Sequence, residues 1–257
     1  MKLLIFFVVL FHSLTWAITT WSKEVKLVTG LDYAPYASPD SLNGGVITEI
    51  VSLVFSEIGY QPTLGFYPWN RALKRVDSLK SDATFPYAHT NERAEKFYFS
   101  HPVHKIKLSI FQRRGQAKPY TKPEDLIGLT NCEPLGYKTE VELVDLIETG
   151  QINRFNAESV DGCLERLASG RADFVVLSSS VAWATARRLW KGQAVNMISE
   201  AEIPLNISTE HLIISKKHPQ GYGMIEAFNA KFLQLLESGV IKEVWVKHLG
   251  KDSIPLM

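Results

Sequence analysis

Short apolar runs and stretches of helical period alternate along most of this 257-residue chain. Val25, Leu27 and Val28 within residues 25–29 read as a buried strand that Gly30 closes. A loop through Tyr33, Pro35 and Tyr36 then reaches Gly44 and Gly45. From residue 46 the apolar positions Ile47, Ile50, Val51, Val54 and Ile58 keep helical spacing until Gly59 supplies a stop. Residues 62–67 read as the next strand. Trp69, Ala72, Leu73, Val76 and Leu79 predict an amphipathic helix over 69–79, and 82–85 a short buried strand. This is a βαβαβ run, and a long strand over 105–112 leaves it.

A comparable unit follows the turn-rich residues 118–123. The pattern predicts a strand over 126–131, then a helix to residue 147 opened by a capping box, Thr139 with Glu142 three positions on. Val160, Cys163, Leu164 and Leu167 share one side of a helix over 159–168, and a strand follows over 174–177. The closing part predicts a strand over 210–215, a helix over 224–236, a break at Gly239 and a last helix over 240–248. Alternation of this kind defines an α/β chain with mainly parallel sheets.

The first seventeen residues stand apart. Lys2, the apolar run from Leu3 to Phe11 and small residues near Ala17 read as a secretory signal peptide, residues 1–17. The run is about half the ~20 residues that a membrane-spanning helix needs, so cleavage and a secreted, periplasmic product are expected. No cysteine lies near Ala17 to accept a lipid. Removal of Lys2 leaves 27 basic against 27 acidic residues, a balance that offers no global attraction to nucleic acid. Cys132 and Cys163 are the two cysteines. In an oxidising compartment they read as a disulfide, with two buried thiols as the alternative. Two cysteines cannot make a structural zinc site, and no metal or other cofactor is expected.

The order of short phrases along the chain resembles the family 3 extracellular solute-binding proteins. The phrases are Tyr33-Ala34-Pro35-Tyr36, Gly45 before the first helix, Trp69 before Ser81-Asp82-Ala83, and Thr90-Asn91-Glu92-Arg93. Phe99-Ser100-His101-Pro102, the run from Leu167 to Asp173, and Glu237-Ser238-Gly239-Val240-Ile241 complete the set. The resemblance implies a two-lobed periplasmic binding protein fold: two mainly parallel sheets flanked by helices, joined by two hinge strands, closing on a ligand in the cleft. Lobe 1 would be discontinuous, residues 22–107 with 209–257, and lobe 2, residues 108–208, would be inserted in it.

It also implies site residues. Arg93 would fork onto a ligand carboxylate, as a planar guanidinium can; the alternative is a surface ion pair with Glu92 or Glu95. Trp69 would wall the cleft, or else serve as core. Tyr33 and Tyr36 sit on the loop that usually lines the cleft. Tyr87 and Ala88 stand where similar amino-acid binders carry serines, so backbone contacts survive there while hydroxyl contacts cannot. Tyr137, Lys138 and Thr139 occupy a strand-to-helix turn that would bind the same carboxylate. Ser178 opens a run of three serines where relatives present a carboxylate to the ligand ammonium, which places a standard α-amino acid in doubt unless Asp32, Asp40 or Glu140 compensates. His89 reads as a polar loop residue rather than a metal ligand.

The reading that results is a monomeric periplasmic protein that hands a small polar, carboxylate-bearing solute to an ABC permease. A sensor for a membrane receptor is the first alternative. An enzyme on the same fold is the second, and no Ser-His-Asp, Cys-His or metal pattern supports it.

Overall fold

The structure, a computed structural model, describes residues 23–251, so the expected signal peptide lies outside the described residues. The first part of the chain forms β1 (Lys23–Thr29), α1 (Val46–Glu57), β2 (Tyr60–Phe66), α2 (Trp69–Asp77), β3 (Ala83–Ala88), α3 (Asn91–Lys96) and β4 (Phe97–Arg113). The middle forms β5 (Thr130–Pro134), α4 (Val141–Glu148), β6 (Asn153–Ala157), α5 (Val160–Ala168), β7 (Phe174–Ser178), α6 (Ser179–Trp190), α7 (Ala194–Met197) and β8 (Ile198–Glu200). The chain closes through β9 (Asn206–Ser215), α8 (Gly221–Glu237) and α9 (Val240–Leu249).

The strands join in the order β2-β1-β3-β9-β4-β7-β5-β6, with β8 beside β4. β1 runs parallel to β2 and β3, and β5 runs parallel to β6 and β7. Between these two parallel ends, β4 and β9 cross antiparallel over a long register from Phe97–Ser215 to Leu108–Asn206. The two expected sheets are therefore the two ends of one continuous ladder. We call the β1–β3 end, with α1, α2, α8 and α9, the first lobe, and the β5–β7 end, with α4, α5 and α6, the second.

Burial explains the pattern. Val25, Leu27 and Val28 are buried on the central β1, as a parallel strand covered by helices on both faces must be. The apolar side of α1 packs Ile47, Ile50, Val51, Val54 and Phe55 into the same core, and Phe228 and Phe232 of α8 meet it. A second cluster of Ile110, Leu126, Leu143, Ile152 and Phe174 lies under the second lobe. Cys132 on β5 and Cys163 on α5 form a disulfide with Cα atoms 5.4 Å apart, closing a separation of 31 residues. Among the described residues no helix is long and apolar enough to cross a membrane.

Two local expectations are corrected. The strand expected over 126–131 starts later, at Thr130, because Pro123 opens a short helical turn, Pro123–Leu126, whose Leu126 plugs the second core. The capping box at Thr139 does not form: α4 begins at Val141 with Glu140 as its N-cap. The Thr139 hydroxyl instead donates to Glu133 Oε2 at 2.6 Å, since a partly buried carboxylate attracts a donor more strongly than a backbone N–H attracts the same oxygen as acceptor.

Candidate functional site

Each element that meets the cleft ends there for a visible reason. In β3 the ladder to β9 slips between Thr84 and Tyr87. Pro86, which has no N–H to donate, lies within the slip. Tyr87 and Ala88 beyond it line the cleft. Thr90 is the N-cap of α3, its hydroxyl accepting from the Arg93 N–H at 3.1 Å, which explains the Thr-x-x-Arg spacing. α2 starts at Trp69 after Pro68, and its indole fills the space left by two glycines. A Cβ on Gly30 would meet Trp69 ring atoms at 2.2 Å, and one on Gly136 would meet the Trp69 Cβ at 2.6 Å.

The lobes close on one another across this cleft. Arg93 spends its guanidinium on both: Nη1 donates to the Ala88 carbonyl at 3.0 Å and Nη2 to the Gly136 carbonyl at 3.1 Å. Its carbon also lies 5.1 Å from the centre of the Tyr87 ring. A surface pair with Glu92 or Glu95 is thus not what it makes. Tyr33, Tyr87 and Tyr137 surround Trp69 edge-on, with centroid separations of 5.5, 5.3 and 6.3 Å. At a second point of contact, Asp32 Oδ2 of the first lobe accepts the Val160 N–H at 3.1 Å, at the start of α5. Burial raises the Asp32 carboxyl above its usual range, and that hydrogen bond holds it down.

What remains between the lobes is a cavity of about 70 Å³, well under the ~300 Å³ where small-molecule pockets usually begin. The expected residues Tyr33, Trp69, Tyr87, Ala88, Arg93, Tyr137, Lys138, Thr139 and Ser178 all line it. Tyr36 does not. Its ring turns behind the hinge strand, 4.5 Å from the His104 ring and beside the Ser178 and Ser180 hydroxyls. Asp40 is absent from the cavity, and His89 packs on Phe99 at 4.7 Å between ring centres.

The residue that sequence reasoning missed is Glu210. It projects from β9 into the cavity, 6% exposed, and Tyr33 donates its hydroxyl to Oε1 at 2.5 Å. Burial pushes its carboxyl up to about 8, which Tyr33 and the Arg93 charge only partly offset, while Glu140 adds to the rise. Behind it His104 Nδ1 lies 3.4 Å from Oε2 without forming a hydrogen bond. Burial drives that imidazole down to about 3, so it is neutral and the contact is polar rather than ionic. Glu133 and Glu140 also line the cavity. Glu140 pairs with Lys138 at 3.1 Å, and Glu133 is raised by burial and met by Thr139 and Arg154. The lining therefore holds three carboxyl groups, with Glu210 the one that burial keeps mostly protonated, and the two cations Arg93 and Lys138. No direct ion pair joins Arg93 to Glu210.

A closed interlobe cleft with one guanidinium, an aromatic box and a buried carboxyl defines the class of two-lobed solute-binding proteins. The family model for bacterial extracellular solute-binding proteins, family 3, matches residues 25–251, and the chain belongs to that family. No curated protein sequence matches it. Among solved structures, a histidine kinase sensor domain with similarity to periplasmic binding proteins is 18% identical at TM-score 0.75, covering 88% of this chain and 96% of that one. A mutant of ArgBP from T. maritima is 20% identical at TM-score 0.73, covering 89% and 96%. An ancestral amino acid-binding protein described as a precursor of cyclohexadienyl dehydratase is 20% identical at TM-score 0.71, covering 87% and 94%. At these identities the likeness is one of fold.

Proposed function

We propose that this chain captures a small amino-acid-like solute between its lobes and delivers it to an ABC permease, and that Arg93 and Glu210 read the two ends of that solute. The lobes would divide at 107/108 and 208/209, within β4 and within β9 between the cavity-lining Ser208 and Glu210. One observation carries the reading: a half-buried cation and a buried carboxyl line the same cavity without pairing to each other. A ligand carboxylate would exchange with the Ala88 and Gly136 carbonyls on the Arg93 fork. A ligand ammonium or guanidinium would take Glu210, which would then ionise, because an adjacent cation favours the charged form of a carboxyl that burial alone keeps neutral. Glu210 thus offers the charge that the three serines at 178–180 lack, from the hinge strand and not from the end of β7. The box of Trp69, Tyr33, Tyr87 and Tyr137 would hold a flat or extended body. No catalytic role is proposed.

The test is a thermal-shift and calorimetric screen of the mature chain against L-arginine, L-glutamine, L-glutamate and cadaverine. Zwitterions with a second polar end should stabilise it, and the effect should vanish in Arg93→Ala and weaken in Glu210→Gln. Stabilisation by cadaverine alone, untouched by Arg93→Ala, would sink the carboxylate half of the reading. A sensor role has the support of the fold shared with a histidine kinase sensor domain. Capture of a permease in the periplasm by the ligand-bound chain separates the two.

A further inference from the structure

β4 and β9, the two strands that cross between the lobes, set one histidine against one carboxyl. In their antiparallel register His104 pairs with Glu210, so the two side chains are direct cross-strand neighbours. Both are buried.

The pair is incomplete. Glu210 Oε1 accepts the Tyr33 hydroxyl, but Oε2 and both ring nitrogens of His104 have no hydrogen-bond partner among the described residues. Oε2 and His104 Nδ1 lie 3.4 Å apart. The imidazole is packed between Tyr36 and Trp245, with ring centres at 4.5 and 5.7 Å. Buried polar groups are nearly always paired. Two that lack partners and stand this close to one another mark a hydrogen bond that a different state of the cleft completes.

Charge decides which state. The titratable groups around Glu210 are Tyr33, Tyr36, Tyr137, Arg93 and Glu140; burial pushes the three tyrosine hydroxyls up, and Glu140 is paired with Lys138. Burial holds the Glu210 carboxyl up at about 8 and the His104 imidazole down at about 3. The imidazole is therefore neutral whether or not Glu210 is ionised, and it has one N–H to give. A carboxylate attracts that donor far more strongly than a protonated carboxyl does.

We propose that His104 is a positioning residue for the cleft: once a ligand cation ionises Glu210, His104 Nδ1–H closes onto Oε2 and, with Tyr33 on Oε1, fixes the carboxylate toward that cation. The proton that leaves is the one on Glu210, which passes to solvent, and the His104 proton stays on Nδ1. This rests on the reading of Glu210 as the cation end of the site. A solute without a cationic end leaves the pair unmade, so His104 contributes to discrimination between solutes.

Alkaline pH ionises Glu210 without any ligand, so the first measurement is ligand-free nuclear magnetic resonance of the mature chain with isotope-labelled histidine. The His104 ring, identified by its contacts with the Tyr36 and Trp245 rings, should carry its proton on Nδ1. That resonance should move between pH 6.5 and 9.5 with a midpoint near 8, and should stay still in Glu210→Gln. A proton on Nε2 throughout, or an Nδ1 resonance indifferent to pH, would overturn the proposal. Calorimetry with L-arginine then reads the ligand-bound state. His104→Phe should weaken binding about 10-fold at pH 7 and raise the pH above which affinity levels off, while His104→Asn, with an amide N–H near the Nδ1 position, should restore most of the loss. Equal weakening at every pH, unrepaired by His104→Asn, would assign His104 to packing alone and overturn the proposal. If L-arginine does not bind while the ligand-free resonance titrates as stated, the choice of solute is wrong and the His104 to Glu210 pair stands.

Discussion

Gly136 in the second lobe lies against Trp69 in the first so closely that a Cβ on it would sit 2.6 Å from the Trp69 Cβ, at a φ of +89° that L side chains rarely adopt. Its carbonyl is also one of the two that Arg93 binds. The closed state therefore depends on a residue with no side chain. Gly136→Ala should hold the lobes apart and weaken ligand affinity by ~10-fold or more. Small-angle scattering should show a larger radius of gyration for the variant, and an unchanged radius would refute the steric argument.

Proton release offers a direct view of Glu210. Burial pushes its carboxyl up to about 8, so at pH 7 it is mostly protonated. A cationic ligand group beside it should expel most of that proton. Calorimetry in buffers of different ionisation enthalpy should report the release, and Glu210→Gln should abolish it. Buffer-independent heats in the native protein would mean that no cation reaches Glu210.

Stability should carry a matching signature. The folded chain keeps the Glu210 proton that the unfolded chain loses near 4.5, so this group makes stability fall as pH rises from about 4.5 to about 8. His104 acts oppositely. Its folded value is about 3 against 6.5 unfolded, so it makes stability rise between those values. The two oppose below 6.5, and above it only the Glu210 decline remains, with Tyr33, Arg93 and Glu140 as its neighbours. Urea unfolding at pH 6.5 and 8.0 should show a decline in the native protein that is flattened in Glu210→Gln.

The disulfide ties a cavity-lining residue, Cys132, to α5. With the cysteines 31 positions apart in sequence, loss of the bridge should cost about 3–4 kcal/mol, a fall of about 10 °C in Tm for a chain of this size. Scanning calorimetry of Cys132→Ser/Cys163→Ser checks it.

Asp32 caps α5 from the other lobe. Asp32→Ala should leave the fold intact, since both partners regain water when the lobes part, but should shift the population toward the open form by ~5–10-fold. Exchange of the Val160 amide with deuterium should quicken accordingly.

Much of this was legible in the chain. The helical spacing of Ile47, Ile50, Val51 and Val54 and the ordered phrases from Tyr33 to Ile241 specify the layers and the order of elements. They also bring nine of the ten expected site residues to one cavity. Glu210 was not legible because a carboxylate within a strand reads as a solvated face, and the groups beside it, Tyr33, Arg93 and His104, lie far away in sequence. Thr139 failed as a cap because Glu133, six residues earlier on β5, takes its hydroxyl instead. Tyr36 escaped for a related reason: the Tyr33 to Ala37 turn sends it behind β4, beside His104.

The Arg93 fork has a kinetic meaning as well. Both of its arms hold backbone carbonyls, one from each lobe, so the Gly136 half of the fork must break before a solute carboxylate can take its place. A solute cannot enter a lock that is already turned. Association would then wait on spontaneous opening, and its observed rate would level off with solute concentration at the opening rate. The protein would meter uptake by its own breathing and not by diffusion.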